Sequence, residues 1–181
     1  MIPAEKMEIL ISGDQMQRRI RELAQQINRD YKGKSLLVVG ILKGAVLFFS
    51  DLVRQLEMDV RFDFMTISSY GGSTESTGEV KIRKDLDTSI SGQNILIVED
   101  IIDTGLTLTA LRELLLTRKP ASFKICCMLD KPSRRKVEIK PDYCCFEIPD
   151  EFVIGYGLDY AQSGRQLKDV CYIKREYIDS L

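Results

Sequence analysis

Three short stretches of this chain are apolar at almost every position: residues 36–41 (LLVVGI), 94–99 (NILIVE) and 123–129 (FKICCML). A strand with one wet face alternates apolar and polar residues, whereas an unbroken apolar run suits a strand covered on both faces. Residues 45–56 (AVLFFSDLVRQL) and 107–116, which follow the first two runs, have helical spacing. Alternation of such strands with helices requires βαβ crossovers and therefore a parallel sheet. The expected fold class is α/β, an open parallel sheet with flanking helices.

The remaining segments fit around that sheet. Ser12 followed by Gln15 forms a capping box, and Ile20, Leu23, Ala24 and Ile27 then share one helix face, with Gly33 ending the region. Residues 60–68 read as a strand, and residues 68–79 (SSYGGSTESTGE) as a long polar, Gly-rich connection, either a lid or a hairpin tip. After Pro141 the chain reads as short strands broken by Pro149, Gly155 and Gly157. We expect one domain over residues 1–181, with a small hood built from about residues 1–12 and 141–181.

Composition excludes several functions. Apolar residues make up 44% and charged residues 29%, ordinary globular usage with no transmembrane run; the acidic N-terminus is unlike a signal peptide, so a cytoplasmic location is expected. The cysteine pairs Cys126/Cys127 and Cys144/Cys145 direct neighbouring thiols to opposite strand faces, as reduced core residues would. With no histidine in the chain, acid and base chemistry falls to Asp, Glu, Lys, Tyr or Cys. The net charge of −1 and the shortness of the basic clusters (Lys81/Arg83/Lys84 and Arg134/Arg135/Lys136) argue against a nucleic-acid reader.

The chemistry is concentrated in ILIVEDIIDTGLTLTAL, residues 95–111, which sets Glu99, Asp100 and Asp103 between a core strand and a helix. Open α/β sheets bind ligands beyond the carboxyl ends of their strands, where these acids fall. Thr104, Gly105 and Thr107 add hydroxyls, a permissive glycine and free amides at a helix start, all suited to a phosphate. An anion site beside three acids makes sense for a phosphorylated sugar, with phosphate on the amides and ribose hydroxyls and metal near the carboxylates. The plainer alternative is an acidic first turn that only caps the helix. Two other motifs fail: NRDYKGKS has Asn28 where a P-loop requires glycine, and GYGLDY has Tyr160 in place of the last glycine of a dinucleotide fingerprint.

VEDIIDTG with Thr107 resembles the phosphoribosyl-pyrophosphate signature of the type I phosphoribosyltransferases, in the wording of their hypoxanthine-guanine branch. ILKGAVLFFSDL, SSYGGSTESTGE, KPDYCCFEIPDEFVIGYGLDY and GRQLKDV occur in the order expected for that branch, so the resemblance extends over nearly the whole chain. It implies purine salvage, in which a 5-phosphoribosyl group passes from its pyrophosphate donor to N9 of hypoxanthine or guanine. Glu99 and Asp100 would address the ribose hydroxyls and Asp103 the N7 side of the base. Thr104, Gly105, Leu106 and Thr107 would grip the 5′-phosphate. Lys43, Gly44 and Arg165 would hold pyrophosphate, with the peptide between Leu42 and Lys43 often cis in similar enzymes. Lys140 would donate to the 6-oxo group of the purine, Phe152 would stack on it, and Val153 would lend backbone groups. Ser69 and Tyr70 would open a lid. The resemblance also implies Mg2+, near Asp159, Glu99 and Asp100, and a homodimer or homotetramer.

Two rivals share the acidic signature. A non-catalytic regulator that binds nucleic acid would need a basic face or an added module, neither of which the sequence contains. A pyrimidine-specific transferase would lack the KPD and FEIPDEFVIGYGLDY segments.

Overall fold

The structure, a computed structural model, describes residues 2–69 and 80–178. Its strands are β1 (Met7–Ile11), β2 (Leu36–Leu42), β3 (Val60–Ser69), β4 (Val80–Lys84), β5 (Asn94–Ile102), β6 (Ser122–Asp130), β7 (Tyr143–Glu147), β8 (Val153–Ile154) and β9 (Val170–Ile173). The helices are α1 (Gly13–Asp30), α2 (Val46–Val53), α3 (Leu106–Leu116) and a short α4 (Arg175–Ile178). The larger sheet runs β4-β3-β2-β5-β6-β7, parallel throughout except for the antiparallel edge strand β4.

The unbroken apolar runs are explained by this arrangement. Successive strand residues point to opposite faces, and both faces of the sheet are covered. Val38, Leu96 and Val98 pack with Ile20, Leu23, Phe48 and Leu52 of α1 and α2. Val39, Ile95 and Ile97 pack on the other face with Leu108, Leu111 and Leu115 of α3. Cys126 and Cys127 divide between the same two clusters, and every cysteine is free.

Local expectations are met with informative shifts. Ser12 and Gln15 form the capping box, with Gln15 N donating to Ser12 Oγ at 3.3 Å and Ser12 N to Gln15 Oε1 at 2.9 Å. Helix α2 stops at Val53 although apolar spacing continues to Leu56. Asn28 of α1 holds the following loop at both ends, donating to Gln55 O and accepting from Glu57 N at 3.0 Å each. Strand β5 runs past Glu99 to Ile102, because β6 continues to pair with it up to Asp130. Glu99 and Asp100 thus lie inside a strand rather than in the turn after it.

A second, antiparallel sheet of order β1-β9-β8 sits apart from the first and joins the two ends of the chain. Its membership corrects the expected hood limit of residue 141: β7 pairs parallel with β6, and the small sheet draws on nothing before Val153 except β1. Among the described residues no helix is long and apolar enough to cross a membrane.

Candidate active site

At the carboxyl ends of β2 and β5 lies a cleft of about 340 Å³, whose lining includes Lys43, Gly44, Glu99, Asp100, Asp103, Thr104, Gly105, Thr107, Asp159 and Arg165. Ten residues predicted from sequence, drawn from three separate segments, therefore converge on one cavity. They divide into an acidic wall, a phosphate-like turn and a basic rim.

Glu99 and Asp100 form the wall. Glu99 is half-buried, but its Oε2 is sealed from solvent and has no hydrogen-bond partner among the described residues, and desolvation, then the neighbouring Asp100, pushes its carboxyl well above the usual carboxylate range. Burial likewise raises Asp100 to about 6, against the opposing effect of the Ile101 amide, which donates to Oδ1 at 2.7 Å. A carboxyl held with an unpartnered buried oxygen, beside a second raised one, is held for something, because such an oxygen is costly in a folded protein. A ligand hydroxyl or a hard cation would complete them.

The turn is built differently from a capped helix. Gly105 occupies the N-cap of α3 with φ 81°, makes no side-chain cap, and no acid stands in the first helical turn. A side chain at Gly105 would also press on Ile139, 2.6 Å from the added carbon. The amides at the start of α3 therefore lack a carboxylate, and the simple capping explanation for the acids fails. Leu106 is the first residue of α3, so its backbone amide rather than its side chain is the useful group. Asp103, half exposed, is held by arginines: Arg134 Nε donates to its Oδ1 at 2.9 Å and Arg135 donates to its carbonyl.

The rim combines Lys43 with Arg165. The Leu42–Lys43 peptide is cis, and among the described residues Lys43 Nζ reaches only Gln162 Oε1, at 3.3 Å. Gly44 is wedged against Asp100, since an added Cβ would overlap the Asp100 carboxylate. Arg165 donates to Gly157 O at 2.7 Å and pairs with Asp159 Oδ1 at 2.6 Å, while Asp159 Oδ2 accepts from Gln162 N.

The base-side predictions fare unevenly. Phe152 presents a ring 42% exposed, edge-on to Tyr160 at 5.5 Å, and Val153 begins β8 beside it. Lys140 does not reach the cleft: it is exposed and lines a separate hollow with Cys144 and Glu147. The reason is its place in the chain. Lys140 precedes β7, whose first residue is level with Cys126 in mid-β6, so it lies below the ligand edge. Lys131 was missed, although it stands directly after β6, at the same edge of the sheet as the acids. Its ammonium is buried and donates to Glu151 O, next to Phe152, at 2.6 Å, and its own amide donates to Ile102 O. Position after an apolar strand, the signal that singled out Glu99, would have found it. Ser69 ends β3, paired through its backbone with Val80, and Tyr70 lies outside the described residues.

The metal expectation can be weighed on the donor set. Among the described residues no group of three or more His, Cys, Asp or Glu side chains forms a protein-only metal cage. The unpartnered Glu99 oxygen and the raised Asp100 carboxyl fit the other common arrangement, in which magnesium takes one or two carboxylates and completes its shell with water and phosphate oxygens.

Comparison with known proteins identifies the family. A family model described as phosphoribosyl transferase domain matches residues 8–161. The chain is 49% identical over 173 residues to the hypoxanthine-guanine phosphoribosyltransferase of Bacillus subtilis, covering 96% of each. A Staphylococcus aureus hypoxanthine phosphoribosyltransferase structure superposes with a TM-score of 0.91 at 48% identity, covering 94% of this chain and 92% of that one. A Bacillus anthracis hypoxanthine-guanine phosphoribosyltransferase structure does so at 0.89 and 47%, covering 92% and 98%. A buried acid pair beside an uncapped helix start, in a chain matched along nearly its whole length, places this protein in the phosphoribosyltransferase family, in its hypoxanthine-guanine branch.

Proposed function

We propose that the protein transfers the 5-phosphoribosyl group of 5-phosphoribosyl 1-pyrophosphate to N9 of hypoxanthine or guanine, releasing pyrophosphate and forming the nucleotide. The observation that carries this is the pairing of the sealed, unpartnered Glu99 oxygen and the neighbouring Asp100 with an acid-free helix start across one cleft. A phosphorylated sugar, with hydroxyls for the acids and phosphate for the amides, answers both halves.

The 5′-phosphate would lie on the amides and hydroxyls of Thr104, Gly105, Leu106 and Thr107, where backbone N–H groups and the helix dipole favour negative charge. Glu99 and Asp100 would take the ribose hydroxyls and, as carboxylates, offset positive charge developing at the anomeric carbon. Asp103, at the mouth of the same wall, would accept or return the proton at N7. Lys43, the Gly44 amide and Arg165 would receive the departing pyrophosphate, the planar guanidinium being matched to phosphate oxygens. Phe152 would stack on the purine and Val153 would meet its edge through the backbone. For the 6-oxo group we assign Lys131 in place of Lys140, since it is the lysine whose ammonium lies beside the Phe152 segment.

Magnesium would be held by Glu99 and Asp100 with Asp159 nearby, and would neutralise pyrophosphate charge. A cytoplasmic homodimer or homotetramer completes the proposal. The exposed Phe62 ring, packed on Phe49 and Phe64, supplies apolar surface that a second copy would cover. The test is direct: purified protein, magnesium and the sugar donor, offered hypoxanthine, guanine, xanthine and adenine separately, with nucleotide followed by absorbance. Formation of inosine or guanosine monophosphate, abolished by chelation, is the expected result. Failure with both 6-oxo purines, or preference for a pyrimidine, would refute it.

A further inference from the structure

We infer that Tyr156, through its hydroxyl, is a positioning residue for the pyrophosphate side of the cleft, locking the turn that carries Arg165 to the helix that follows Lys43 and Gly44. This rests on the proposed function and deepens it.

The turn in question has an unusual backbone. Gly155, Tyr156 and Gly157 have φ of 95°, 50° and 102°, three consecutive residues in the left-handed region. Backbone bonds close the run locally, Gly155 N to Leu158 O at 3.0 Å and Tyr156 N to Leu167 O at 2.9 Å, yet a tyrosine within it is strained. The turn is nonetheless pressed hard against the site. A Cβ at Gly157 would overlap the Gly44 carbonyl oxygen, and Gly157 both donates its amide to Arg165 O at 2.9 Å and accepts from the Arg165 guanidinium at 2.7 Å. Wherever Gly157 goes, Arg165 goes with it.

What ties the turn to the helices is the side chain that Tyr156 sends inward. Tyr156 is only 6% exposed, and its hydroxyl donates to the Asp51 carboxylate while accepting from Gln17 Nε2 at 3.0 Å. Gln17 also donates to Asp51, closing a three-membered network among α1, α2 and the turn. Asp51 belongs to α2, which begins two residues after Gly44. The two walls of the proposed pyrophosphate site, Lys43–Gly44 and Gly157–Arg165, are thereby tied to one helix by one phenol. Burial, then the Asp51 bond, raises the phenol above its ordinary range, so it remains the donor in this network.

A tyrosine needed only for its bulk would be replaced by phenylalanine without kinetic consequence. The hydroxyl network predicts a selective one. Steady-state rates are measured for wild type, Tyr156→Phe, Asp51→Ala and the double variant, varying donor and purine in turn, and pyrophosphate in the reverse direction. Either single change should raise KM for the donor and for pyrophosphate by about five- to tenfold, with purine KM within about twofold of wild type. The double variant should be no worse than the poorer single one, because both remove the same contact. Should Tyr156→Phe fail to fold, Asp51→Ala, which removes the acceptor and leaves the aromatic ring in place, carries the same measurement. A donor KM raised less than about threefold, an equal rise for purine, or additive losses in the double variant would overturn the inference. If wild type transfers no phosphoribosyl group the proposed function falls and takes this inference with it. An active wild type with unselective variants sinks the inference alone.

Discussion

Asp100→Asn should make the ligand-free protein more stable near neutral pH and less able to work. The wild-type carboxyl is raised from 3.8 to about 6, chiefly by burial. A carboxyl whose folded value lies above its unfolded one binds protons more tightly in the native state, so its stabilisation is complete below 3.8 and lost as pH rises through about 6. Over that window the native state loses about 3 kcal/mol to the cost of ionising a buried acid. Asparagine keeps the shape and an acceptor for the Ile101 amide but carries no charge to desolvate. It also removes the like charge that raises Glu99, an effect of the same sign. Urea unfolding of both proteins in chelator should show a stability gap that widens in favour of the variant by about 2 kcal/mol between about pH 4.5 and about pH 8. The corresponding rise in melting temperature is about 4–8 °C. A gap independent of pH, or one favouring wild type at alkaline pH, would refute the burial account. Donor with magnesium should stabilise wild type more than the variant, since the ligand supplies what the acid lacks.

Three further outcomes follow from the site geometry. Asp103→Asn should slow turnover by about two to four orders of magnitude while leaving donor binding largely intact, as pre-steady-state binding and turnover would reveal; near-normal turnover would remove Asp103 from proton transfer. Lys131→Ala should raise purine KM and weaken discrimination against 6-amino purines, whereas Lys140→Ala should leave base specificity unchanged; the reverse pattern would restore Lys140. Gly44→Ala should lower kcat/KM for the donor by about a hundredfold, because the new methyl overlaps the Asp100 carboxylate and either the acid or the turn must move.

The acidic and phosphate-like part of the candidate site was legible because residues 99–107 lie together and their spacing carries chemistry. Glu99, Asp100 and Asp103 follow an apolar strand and precede a helix start, a local pattern that needs no distant partner to be recognised. Lys140 shows where such reading stops. Whether a lysine reaches the ligand edge depends on how far along the sheet the neighbouring strand begins, and β7 starts level with Cys126 rather than at the end of β6. The same register placed Tyr143–Glu147 in the larger sheet and not in the hood. Nothing local in IKPDY announces either fact.

By itself the amino-acid order determined the layers: runs apolar on both faces must be covered on both faces, and helices of matching periodicity are there to cover them. It also placed the acids at the ligand edge. Tertiary structure alone decided what those acids are. The Glu99 Oε2 becomes a buried, unpartnered oxygen, and Gly44 is wedged against Asp100, only when segments more than fifty residues apart are folded together. The physical reason is that periodicity is a property of neighbours along the chain, whereas desolvation, steric exclusion and ion pairing are properties of neighbours in space.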